Sequence, residues 1–88
     1  MTKMNPCARL DRLLHRNVQN GELWRGARTV ELLCSAVAAM EKHQQRLAIP
    51  DRYIAVMRYL ADHPTALIIP DANVTKAFQY AKKAFSIQ

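Results

Sequence analysis

Glycine and cysteine are scarce in this chain, with two of each among its 88 residues. A glycine-rich phosphate loop needs several glycines in close order, so that kind of nucleotide site is excluded. Cys7 and Cys34 lie far apart and form no C-x-x-C pair. This usage favours free thiols in a reducing compartment over a disulfide scaffold.

Long apolar runs are absent as well. The longest nearly apolar run, residues 32–40, is much shorter than the roughly 20 residues that a membrane span requires. The opening stretch MTKMNPCARL lacks the apolar segment of a secretory signal. Hydrophobic residues still make up 50% of the chain, which is too many for a disordered protein. We therefore expect a folded, soluble protein of the cytoplasm with no membrane association.

Acidic residues are outnumbered by basic ones. Seven Asp and Glu stand against thirteen Lys and Arg, and the formal net charge is +6. In so small a domain, this bias favours a polyanionic partner, either nucleic acid or an acidic protein surface. The alternative is that the positive charge serves solubility alone.

Residue clusters for catalysis or metal binding are also missing. No close ligand pair of the C-x-x-C or H-x-x-x-H type occurs. Asp11 and His15, four residues apart, could form an acid–base pair, but no nucleophile or paired carboxylates accompany them. A surface histidine with a carboxylate partner is the alternative account. We expect no enzymatic activity, no metal and no cofactor.

Apolar residues recur at helical spacing through most of the chain. Asn5-Pro6 is typical of a helix start and Asn20-Gly21 of a helix end, while Pro-Asp at 50–51 and at 70–71 indicates further starts. The predicted fold is all-α, a single domain (1–88) built as a small bundle of three to four short helices. The predicted helices are residues 6–19, 27–46, 51–63 and 72–86. The third has Asp51 as its expected cap, and its predicted inward face is Ile54, Met57, Leu60 and Ala61.

The second helix is the predicted centre of the core. Its apolar stripe is wide and consists of Val30, Leu32, Leu33, Ala36, Val37 and Met40. So wide a stripe needs neighbours on several sides, which a compact bundle or a homodimer could supply. Cys34 is expected to be a small buried hydrophobe, and segment 65–69 (TALII) an extended, buried connection.

A row of arginines lies on the first helix. Arg9, Arg12 and Arg16 cluster within about 60° on a helical wheel, opposite the leucines. Guanidinium groups in such a row can straddle phosphates, because each offers a fork of donors. The alternative is the solvated face of an ordinary amphipathic helix.

Basic and aromatic residues also mark the third and fourth helices. Arg52 and Tyr59 share an outer face with Arg58 beside them, a mixture that can stack on bases or bind a protein. Lys76 and Lys83 share a stripe of the fourth helix, although Lys83 can instead serve the helix dipole. Whether these residues converge depends on the tertiary structure.

Two functions compete. The first is a small regulatory protein that binds nucleic acid through its phosphates. The second is a protein–protein module: an adaptor, a chaperone-like subunit, or an inhibitor of the kind that phages and plasmids direct at host complexes. No helix-turn-helix, RRM, KH or zinc-finger signature is present, so the first hypothesis rests on charge. In either case the predicted binding residues are Arg9, Arg12, Arg16, Arg52, Arg58, Tyr59, Lys76 and Lys83.

Overall fold

The fold is all-α, as the apolar periodicity predicts. A computed structural model describes residues 5–20, 27–63 and 72–87, and their side chains except those of 15–20, 27 and 28. The predicted connection 65–69 and the side chains of His15 and Arg16 lie outside this part of the chain. Within it, the helices are α1 (Pro6–Asn20), α2 (Ala27–Lys42), α3 (Gln44–Leu47), α4 (Asp51–Asp62) and α5 (Ala72–Ser86).

The start of α1 confirms the predicted cap. The Asn5 side-chain oxygen accepts a hydrogen bond of 2.8 Å from the backbone N–H of Cys7. Pro6 occupies the first helical position, where its missing N–H costs nothing. Local sequence alone therefore explains where this helix begins.

The predicted helix 27–46 is not continuous, because it divides at His43 into α2 and the single turn α3. His43 adopts φ −110° and ψ 14°, although its N–H still donates to the Ala39 carbonyl at 3.1 Å. Ala48 then takes a left-handed conformation and ends α3. This path brings Ile49 into the core, directly before Pro50, which disfavours helical backbone at the residue that precedes it.

Helix α4 starts where Pro-Asp predicts, but Asp51 does not cap it. Pro50 holds the cap position without a side-chain hydrogen bond. The Asp51 carboxylate instead accepts a hydrogen bond from Nε2 of Gln44. As a first-turn acid, Asp51 still interacts favourably with the helix dipole.

One core lies between the helices, and α5 contacts each of the other four. Helix α2 packs on α4 and α5, while α1 makes its main contact with α5. The larger buried side chains are Leu10, Leu32, Leu33, Val37, Met40, Ile49, Tyr53, Ile54, Met57, Leu60, Val74 and Phe78. The wide stripe of α2 is thus covered within one chain.

Cys34 is exposed, so the prediction that it is buried was wrong. On the α2 wheel it lies on the side of Glu31 and Ala38, which are exposed too. The buried arc passes through Leu33 and Val37 instead. A residue next to Leu33 in sequence is rotated about 100° from it on a helix, which takes Cys34 out of the arc.

Candidate nucleic-acid interface

A pair of tyrosines joins α4 to α5. Tyr53 is buried on α4 and Tyr80 is half-buried on α5. Their ring centroids are 5.2 Å apart, with an angle of 32° between the planes. This spacing is typical of an attractive aromatic pair, so the rings hold the two helices in a defined relation.

A cation lies against each ring of this pair. The Arg52 guanidinium carbon is 4.9 Å from the Tyr53 ring centroid, and its Nη2 donates to the Tyr53 hydroxyl at 3.1 Å. The Lys83 ammonium is 5.6 Å from the Tyr80 centroid. Arg52 and Lys83, from different helices, are therefore brought to one surface through Tyr53 and Tyr80.

Lys76 extends this surface along α5. It is exposed, as are Gln79 and Lys83, and the spacing of three and four residues puts all three on one stripe. Tyr80 follows Lys76 by four residues, so Lys76 and Lys83 flank it along the helix. We call Arg52, Lys76 and Lys83, with Tyr53 and Tyr80, the α4–α5 basic face.

An open hollow of about 400 Å³ adjoins Lys83. The other side chains lining it are those of Cys7, Gln79, Lys82 and Ser86. The lysine ammonium and glutamine amide groups can donate hydrogen bonds to a ligand, whereas the Ser86 hydroxyl already donates to the Lys82 carbonyl at 2.9 Å. Such a lining suits an anionic oxygen.

The cations of the α4–α5 basic face lack acidic partners in the described part of the chain. Among the described residues, no carboxylate forms an ion pair with Arg52, Lys76 or Lys83. An aromatic ring orients a cation without neutralising it, whereas a carboxylate would cancel its charge. The face therefore presents net positive charge to solvent.

Two neighbouring cations do have acidic partners. Lys82 donates to the Asp11 carboxylate of α1 at 2.7 Å, and Arg58 pairs with Glu41 of α2. Arg58 is a predicted binding residue on the same helix as Arg52, but this ion pair offsets its charge. Arg58 therefore contributes less than Arg52 to the positive electrostatic potential over α4.

Tyr59 stacks on His63 at the other end of α4. The ring centroids are 4.2 Å apart and the planes differ by 22°. Tyr59 is 54% exposed, and it is the large hydrophobic side chain that the described residues leave most open to solvent. Arg52, Val56 and Tyr59 follow one another at spacings of four and three, so Tyr59 shares a helical stripe with Arg52.

Of the arginine row of α1, the structure describes the side chains of Arg9 and Arg12. Arg9 is half-buried and lines an open groove of about 510 Å³ beside Glu31 of α2 and Phe85 of α5. Arg12 is exposed. Asp11, which bonds Lys82 of α5, lies about 160° from Arg9 and about 100° from Arg12 on the helical wheel, so these two arginines lie on other sides of α1 than this contact.

The Tyr53–Tyr80 pair was not predicted. The predicted inward face of α4 began at Ile54, yet Tyr53 precedes Met57 by four residues and Leu60 by seven. That spacing could have placed Tyr53 inward. Its contact with Tyr80, in contrast, follows only from the packing of α4 on α5.

No protein-family model, curated protein or solved structure matches this chain. In the part of the chain that the structure describes, His, Cys, Asp and Glu form no cluster of three that could hold a metal ion. None of the helices described is both long and apolar enough to traverse a bilayer. Function is therefore inferred from the geometry of the α4–α5 basic face.

Proposed function

We propose that this protein binds nucleic acid, without catalysing a reaction, through phosphate contacts made by Arg52, Lys76 and Lys83. One observation carries the proposal: a continuous series of contacts, Arg52 to Tyr53 to Tyr80 to Lys83, assembles cations from two helices on one surface. The absence of described carboxylate partners on that surface supports it.

The chemistry of the α4–α5 basic face suits a phosphate backbone. Arg52 offers a planar fork of donors, and the two lysines offer compact charges. Contacts with phosphates carry no sequence information, so binding is expected to be tolerant of sequence and sensitive to salt. The formal net charge of +6 adds long-range attraction to the encounter.

The first prediction tests this surface by fluorescence anisotropy with labelled mixed-sequence DNA duplex and single-stranded RNA. The combined variant Arg52→Gln, Lys76→Gln and Lys83→Gln is expected to lose most of the affinity at low salt. Each cation removed should flatten the plot of log affinity against log salt by about 0.7–0.9, because fewer counterions are released. Three removals therefore flatten it by roughly 2–3.

The matched control removes the same charge elsewhere. Arg12, Lys42 and Arg46 are exposed and lie outside the α4–α5 basic face. Changing them to Gln should leave the salt slope close to that of the unaltered protein. Equal losses in the two variants would assign binding to net charge rather than to this face, and no binding at low salt would overturn the proposal.

An acidic protein surface is the second candidate partner. Exposed Tyr59 and Arg52 are residue types that often dominate the energetics of protein interfaces. In that case both nucleic-acid probes would fail to bind at low salt. A partner recovered by pull-down would then lose its binding in the Arg52, Lys76, Lys83 variant.

A further inference from the structure

We infer that the stacked Tyr59–His63 pair is a platform for an unpaired base, so that the protein prefers single-stranded nucleic acid to duplex. This inference rests on the proposed function and names its substrate class. It concerns a surface feature that phosphate binding does not require, because neither ring adds a permanent charge of the kind that Arg52 supplies.

The platform is preformed. The backbone N–H of His63 donates to the Tyr59 carbonyl at 2.9 Å, and His63 Nδ1 lies 3.1 Å from the same oxygen. A carbonyl accepts, so this hydrogen bond is made by the tautomer that carries the proton on Nδ1. The Nδ1 contact and the ring stacking hold the imidazole on the Tyr59 ring, so a ligand need not order the pair.

Exposure distinguishes this pair from the tyrosines between the helices. Tyr53 is 2% exposed, whereas Tyr59 is 54% exposed and His63 is exposed as well. A planar base can therefore extend the two-ring stack as a third ring. Exposed aromatic rings beside cations are the usual means by which proteins hold single strands.

Arg52 supplies the second half of the site. It precedes Tyr59 by seven residues on the same stripe of α4, which is about 10.5 Å along the helix axis. Lys83 is linked to the end of the site at Arg52 by its contact with Tyr80 and by the contact of Tyr80 with Tyr53. A strand along α4 would thus place a base on Tyr59 and phosphates beside Arg52 and Lys83.

A duplex can contact the cations at the Arg52 end of this site, but it does not offer a free base to the Tyr59 end. Each base in a duplex is covered by its neighbours and must be flipped out before it can stack on a protein ring. A single strand presents its bases without that cost. Loss of one stacked base changes affinity by about 5- to 150-fold, so the preference is measurable.

The second prediction compares three labelled oligonucleotides of equal length by anisotropy: a mixed-sequence single-stranded DNA, its duplex, and an abasic strand with the same phosphates. Tyr59→Leu is expected to weaken binding of the single strand at least 5-fold and to leave the other two unchanged. Tyr59→Phe keeps the ring and should retain affinity. Far-ultraviolet circular dichroism verifies that both variants stay helical.

The outcomes separate this inference from the proposed function. If Tyr59→Leu binds the single strand as tightly as the unaltered protein, or Tyr59→Phe loses as much affinity, stacking is overturned. Phosphate binding then stands if the combined variant at Arg52, Lys76 and Lys83 still loses affinity for all three oligonucleotides. If that variant binds like the unaltered protein, the proposed function fails. If the unaltered protein binds none of the three oligonucleotides, both the proposed function and the stacking inference are overturned.

Discussion

At the scale of single residues, Ala48 has the least favourable backbone conformation among the described positions. Its φ of 53° and ψ of 46° are left-handed, and it is the non-glycine residue with positive φ in the described ranges. The conformation lets Ala48 N–H donate to Gln45 O at 3.3 Å and Ile49 N–H to Gln44 O at 3.0 Å. These bonds satisfy the carbonyls at the end of α3.

The third prediction follows from that conformation. A left-handed residue with a Cβ costs about 1–2 kcal/mol, and glycine avoids the cost while gaining some entropy in the unfolded chain. Ala48→Gly should therefore raise the free energy of unfolding by about 1 kcal/mol, measured by urea denaturation. The control Ala55→Gly, at an exposed position inside α4, should lower it by about 1 kcal/mol. Destabilisation of similar size in both would contradict the assignment of strain to Ala48.

At the scale of elements, α1 is attached to the bundle mainly through α5. Leu10 is fully buried, and the half-buried Leu13 and Leu14 also pack against the core, while the polar contacts lie nearer the surface. Asp11 accepts from Lys82 Nζ, and Cys7 Sγ donates to the Lys82 carbonyl at 3.4 Å. An exposed ion pair contributes about 0–1 kcal/mol, so burial of Leu10 is the larger stabilising contribution.

The fourth prediction is that Leu10→Ala loosens α1 before it loosens the rest of the bundle. A buried Leu→Ala change costs about 2–5 kcal/mol. Amide hydrogen exchange in α1 should accelerate by more than tenfold, with a smaller change in α4. Leu13→Ala, at a half-buried position, is the matched control with a smaller effect. Equal acceleration in α1 and α4 would show that α1 unfolds only with the whole domain.

At the scale of the whole molecule, the bundle covers the wide apolar face of α2 without a second chain. Leu33 and Met40 are fully buried within the single chain, where α4 and α5 pack on α2. Of the large apolar side chains described, Tyr59 is the exposed one. Of the apolar stripe that suggested a homodimer from sequence, Leu32, Leu33, Ala36, Val37 and Met40 are buried within one chain, and Val30 is half-buried.

The fifth prediction concerns the mass in solution. Sedimentation equilibrium should give one chain, 10.1 kDa, at micromolar concentration and near-physiological salt. The physical reason is that stable homodimers bury an apolar face, and the described apolar face of α2 is already packed against α4 and α5. A mass of two chains would contradict the inference that α4 and α5 suffice to cover α2.

The sequence by itself determined the helical class and most helix boundaries. Capping and apolar periodicity act over a few residues, so they can be read locally. The Asn5 cap and the inward Met57 and Leu60 illustrate this. Local reading failed at His43, where the path of Ile49 into the core divides the predicted helix, and at Asp51, whose carboxylate bonds Gln44 instead of capping α4.

Only the tertiary structure decided which cations share a surface. A helical wheel gives the angle of a residue about its own axis, but not the rotation of one helix against another. Arg52, Tyr59, Lys76 and Lys83 could be named from sequence as candidate binding residues. Their assembly depends on long-range packing: Tyr53 against Tyr80 joins the cations of α4 and α5. On α1, it is Asp11 that bonds Lys82 of α5, about 100° from Arg12 on the helical wheel.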